Sequence, residues 1–78
     1  MAQHELSYTV VFEQNENGGY TVTVPTLPGL VTEGATIEEA KDMAREAITC
    51  YVEGLLMDGD SIPIERLVIH ETLHVAVG

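Results

Sequence analysis

His70-Glu71-Thr72-Leu73-His74 spells H-E-x-x-H. On a helix that spacing sets two imidazoles one turn apart on a single zinc ion, with the glutamate placed to activate a water. Here the five residues lie between Leu67-Val68-Ile69 and Val75-Ala76-Val77, a β-branched stretch with a period of two. On a strand, residues four apart are separated by about 13 Å at ~3.3 Å per residue, too far to share one ion. No third ligand follows in the remaining residues, so the expectation is no metal and no metallohydrolase chemistry. His70 and His74 share a parity with Thr72 and read as partly solvated imidazoles, away from the helix or at an interface. The alternative for the pair is a pH-sensitive contact.

The second group with chemical potential is acidic. Glu38, Glu39, Asp42 and Glu46 crowd the first half of a helical segment, compensated only by Lys41 and Arg45. A solvated face accounts for much of this, because early carboxylates are favoured by the helix dipole. Glu39 is largely explained by capping. The functional reading is a docking patch for a basic protein, with Glu38, Asp42 and Glu46 as its candidate contacts. Cys50 has no cationic neighbour in sequence and reads as a reduced, partly buried thiol. There is no serine–histidine–acid set, phosphate-cradling glycine loop or metal-spaced cysteine cluster. No catalytic residue and no cofactor is expected; the chain reads as a non-enzyme.

Composition narrows the partners. The 78 residues leave room for one domain, read as residues 1–78, whose own core is small. A single cysteine excludes an intrachain disulfide, which leaves a metal or self-association as sources of stability. The hydrophobic content of 45% is that of a folded protein. Thirteen acidic residues against three basic ones give a net charge of −10, which repels a phosphate backbone and disfavours direct nucleic-acid binding. No apolar run is long enough to span a bilayer. Met1-Ala2-Gln3-His4-Glu5 lacks the basic-then-apolar pattern of a signal peptide, so the expected location is the cytoplasm.

The elements that must position these residues follow from periodicity. Leu6, Tyr8, Val10 and Phe12 alternate with mostly polar residues and predict a first strand. A polar stretch ending in Gly18-Gly19 predicts a hairpin loop, and Tyr20, Val22 and Val24 predict an antiparallel second strand. Pro25-Thr26-Leu27-Pro28-Gly29 predicts a turn, and Leu30-Val31-Thr32 a short third strand ending at Gly34. Thr36 and Glu39 have capping-box spacing. A helix follows with Ile37, Ala40, Ala44, Ala47, Ile48, Tyr51, Val52 and Leu55 on its apolar side and a stop at Gly59. Gly54 costs a little helix stability in the last turns, where fraying is compatible with the sequence. Leu67, Ile69, Leu73, Val75 and Val77 predict a closing strand, bent or bulged at Glu71. The expected fold is α+β, in the order β-β-β-α-β, with one helix packed on one face of a mostly antiparallel sheet.

Two adjacent pieces carry a family resemblance. Residues 8–12, then Gly18-Gly19-Tyr20-Thr21-Val22-Thr23-Val24-Pro25 and Leu27-Pro28-Gly29-Leu30, form the first. Thr32-Glu33-Gly34-Ala35-Thr36-Ile37-Glu38-Glu39-Ala40 forms the second. The order of a G-x-Y strand, a P-x-L-P-G turn and a T-x-G-x-T-x-E-E-A helix entry resembles the N-terminal domain of HicB-like antitoxins. The match runs in register over residues 8–51, and four signals at fixed spacings make it specific where any one alone is weak. The resemblance implies a degenerate ribonuclease H-like sheet without that enzyme's catalytic role. It also implies a protein-binding antitoxin that silences a small, basic, RNA-cleaving toxin of the HicA type. Family members commonly add a C-terminal DNA-binding module; none is expected within residues 1–78. The alternative function is a solitary HicB-like adaptor or regulator that assembles with itself. Self-association as a dimer or tetramer is expected in either case, through an exposed strand edge.

Overall fold

The structure, a computed structural model, describes residues 5–78. Met1-Ala2-Gln3-His4, read above for an export signal, lie outside the described residues. Three strands and one helix follow in chain order: β1 (Val11–Gln14), β2 (Tyr20–Thr23), β3 (Val31–Gly34) and α1 (Ile37–Met57). The sheet is antiparallel in the order β1-β2-β3, with Phe12 opposite Val22 and Val22 opposite Thr32. The helix packs on one face of the sheet, mainly over β3 and β2. This is the expected α+β arrangement through the end of the helix.

The β1–β2 loop is built by Asn15. Its Oδ1 accepts from the backbone N–H groups of Asn17 and Gly19, both at 3.1 Å, while Gly18 supplies a φ of +84°. Sequence alternation places the first strand from Leu6, yet the ladder starts only at Val11. In register, Thr9 would face Pro25, which has no N–H to give, and the chain turns there, with the Leu27 N–H donating to the Val24 carbonyl at 2.9 Å. Residues 5–10 therefore run beyond the ladder.

That turn delivers the fully buried Leu27 into the core beside Val24 and Leu30, where Tyr8, Ala47, Ile48 and Tyr51 pack on them. A neighbouring cluster joins Val22 to Ala40 and Ala44, flanked by Val10, Phe12 and Tyr20. The helix thus grips strands with its first half and the turn with its middle. Thr36 caps it, accepting from the Glu39 N–H at 3.1 Å, and Glu39 Oε1 accepts from the Ala35 N–H at 3.3 Å. At the far end the N–H groups of Gly59 and Asp60 donate to the carbonyls of Leu56 and Leu55, a paired closure around a left-handed glycine. The helix runs past Gly54 to Met57, where this closure satisfies carbonyls of its last turn.

The closing strand is a correction. Residues 60–78 join no ladder, and from Leu67 nearly every apolar side chain is exposed. Period-two alternation and β-branched residues specify a conformation and two faces, and say nothing of which edge lies alongside. Beyond Glu65 the chain leaves the body. The radius of gyration is 15.1 Å and the long axis 57 Å, against roughly 11–12 Å for a compact chain of this length. No helix among the described residues is long and apolar enough to cross a membrane.

Candidate functional site

Glu38, Asp42 and Glu46 recur every four residues along α1 and form one exposed stripe. Glu38 Oε1 lies 3.9 Å from Lys41 Nζ, and Asp42 Oδ1 lies 3.1 Å from an Arg45 guanidinium nitrogen. All four side chains are largely solvated, so these i,i+3 pairs add little stability and leave the carboxylates open to another cation. Glu46 makes no ion pair among the described residues. The sheet and its loops do not bury the stripe, because the face that carries Ala40, Ala44 and Val52 is turned the other way.

Lys41 and Arg45 separate this stripe from a second feature. The helix leans toward β3, which leaves an open groove of about 650 Å³ between α1 and the β1 side of the sheet. Leu6, Tyr8, Val10, Phe12, Ala44 and Ile48 give it an apolar wall, and Lys41, Arg45 and Thr49 a polar rim. β1 is an edge strand, so its outward backbone groups beside the groove have no neighbour in the sheet.

A third feature is the point at which the C-terminal segment leaves. The Tyr8 hydroxyl donates to the Pro63 carbonyl at 2.6 Å. Glu65 accepts from the backbone N–H of Thr9, from the Thr9 hydroxyl at 2.7 Å and from the Thr26 hydroxyl at 3.3 Å. Hydrogen bonds from the Thr9 N–H, then the Thr9 hydroxyl, hold the Glu65 carboxyl below its ordinary value of 4.5; burial opposes them and Thr26 adds to them. Burial, then the nearby Glu65 charge, pushes the Tyr8 phenol above 10.0. Sequence reasoning missed this anchor, since nothing marks Glu65 among so many acids.

His70 and His74 are exposed and lie in the segment without regular structure, so the helical turn that H-E-x-x-H chemistry requires is not present. Among the described residues no three His, Cys, Asp or Glu side chains are grouped to hold a metal. Cys50 is exposed rather than partly buried: the helix turns Ala47, Ile48 and Tyr51 to the core and carries residue 50 to the outside. The surfaces available are thus an acidic stripe, an apolar groove with a cationic rim, and a projecting apolar segment.

Comparison with known proteins places these features in a family. Residues 8–74 match the model for a HicB-like antitoxin of bacterial toxin–antitoxin systems. A UPF0150 protein of Thermoplasma acidophilum is 40% identical over 68 residues, covering 83% of this chain and 99% of its own length. A second UPF0150 protein, from Synechocystis, is 38% identical over 81% of this chain and 80% of its own. Antitoxin HicB 1 of Photorhabdus laumondii is 39% identical over 76% of this chain, which corresponds to 38% of that longer protein.

Proposed function

The chain belongs to the HicB-like antitoxins of bacterial toxin–antitoxin systems, and from that premise we propose that it acts by binding proteins and carries out no catalysis. Its partner is a small, basic, RNA-cleaving toxin of the HicA type, met in the cytoplasm, whose working surface it covers. The family match over residues 8–74 is the observation that carries this reading. The net charge of −10 supports it, because a field of that sign draws in a basic protein and repels the RNA that such a protein would cut. The exposed stripe of Glu38, Asp42 and Glu46 is one anchor for that partner.

Attraction of this kind speeds association and is screened over a Debye length of about 8 Å at physiological salt. Replacing the stripe by Glu38→Gln, Asp42→Asn and Glu46→Gln together therefore slows association more than it speeds dissociation. Stability changes by no more than about 0.5 kcal/mol, since the three positions are solvated. Glu39 is spared to keep the helix cap. Surface-captured kinetics against the product of the adjoining reading frame, at two salt concentrations, read the effect. Association indifferent to both salt and the triple substitution contradicts the stripe as an anchor.

The chain also associates with itself, as a dimer or a dimer of dimers. The small core and the row of exposed apolar residues beyond Glu65 support this part. A solitary self-assembling adaptor is the second reading, favoured by that same row. It takes over if no small basic protein binds the chain.

A further inference from the structure

Leu67, Ile69, Leu73, Val75 and Val77 share one parity and are 87, 74, 74, 71 and 90% exposed. So much apolar surface on one row is a binding surface. The row starts from a fixed point, because Glu65 is tied to Thr9 and Thr26, and Pro63 to Tyr8. The groove between β1 and α1 offers what the row lacks: an apolar wall beside an unpaired sheet edge.

Charge identifies what fills that groove. Glu71 is the one acidic residue in residues 66–77, and it falls on the apolar parity. The groove's rim holds Lys41 and Arg45, two of the chain's three basic residues. The third is Arg66, so the segment has no net charge and an acidic body does not repel it. We propose that residues 66–77 form a strand lent to a second copy of this chain, laid in that copy's groove along the β1 edge, with Glu71 facing Lys41 and Arg45.

Each chain carries one strand and one groove, so reciprocal exchange about a two-fold axis fills both and leaves no open end. Twelve strand residues and the ten residues lining the groove reach the roughly 20–30 residues a side of a stable interface. The proposal rests on the self-association part of the reading above and is independent of any toxin. Its test uses this chain alone.

Sedimentation velocity is run on the full chain, on Glu71→Lys, on the double variant Lys41→Glu/Arg45→Glu, and on a 1:1 mixture of the two variants. The unaltered chain is expected to be dimeric at micromolar concentration. Each variant alone dimerises at least about tenfold more weakly, since like charges then face each other. The mixture recovers dimers, because the reversed strand meets the reversed groove and the unaltered strand meets the unaltered groove. All three positions are exposed, and circular dichroism checks that the variants stay folded. As an independent measurement, isotope-filtered NMR on a mixture of labelled and unlabelled wild-type chain is expected to show contacts between the Leu73 and Val75 methyls of one copy and Ile48 of the other. A monomeric wild type, variants that dimerise unchanged, a mixture no better than its parents, or missing intermolecular contacts would each overturn the proposal.

Discussion

Glu65 joins the start of the chain to its last third through the Thr9 N–H, the Thr9 hydroxyl and the Thr26 hydroxyl. A carboxylate that accepts hydrogen bonds in the folded state and loses them on unfolding has its folded pKa depressed. The stability it contributes is then complete above the unfolded value of 4.5 and is lost as pH falls below it, through the folded pKa. NMR titration is expected to show the Glu65 carboxyl protonating below 4.5, with the Thr9 amide following the same curve. Thr9→Val removes the hydroxyl and keeps the backbone donor, so it moves the titration part of the way back. A Glu65 carboxyl that titrates at or above 4.5 contradicts the anchor. The residues most conspicuous in sequence, His70 and His74, are exposed and outside any helix, whereas Glu65 is conspicuous only in three dimensions.

Between β3 and the start of α1, backbone meets backbone at Gly34. A Cβ on Gly34 would sit 2.5 Å from the Ala40 nitrogen and 2.7 Å from its Cα, both backbone atoms of the helix. Neither can swing aside, so Gly34→Ala forces strand and helix apart and is expected to destabilise the fold by about 2–3 kcal/mol in denaturant unfolding. A loss under about 0.5 kcal/mol would show that the contact is slack. Local chemistry made this stretch legible. The Thr36–Glu39 cap, the helical spacing of Ala40, Ala44 and Val52, and the glycine of the P-x-L-P-G turn are each decided within a few residues. Where a partner decides, sequence reasoning fell short. Val11 begins β1 because the facing chain turns at Pro25, and residues 66–77 lack a ladder because no edge of their own sheet lies alongside. The acidic stripe could be read from its four-residue spacing; the groove beside it could not, since it depends on how α1 leans across the sheet.

At the scale of the whole molecule, thirteen acids on a small body leave a negative surface interrupted by one groove with a cationic rim. Such a surface favours encounter with a basic partner over a phosphate backbone, which supports the proposed function. Membership in the HicB-like antitoxins implies a toxin partner; for the basic, RNA-cleaving partner proposed above, inhibition of cleavage is the direct readout. The product of the adjoining reading frame is incubated with a defined RNA, alone and with increasing amounts of this chain. Cleavage is expected to fall in proportion to the chain added and to cease near stoichiometric equivalence, with the chain itself cutting nothing. Undiminished cleavage at a several-fold excess of folded chain would contradict the antitoxin account.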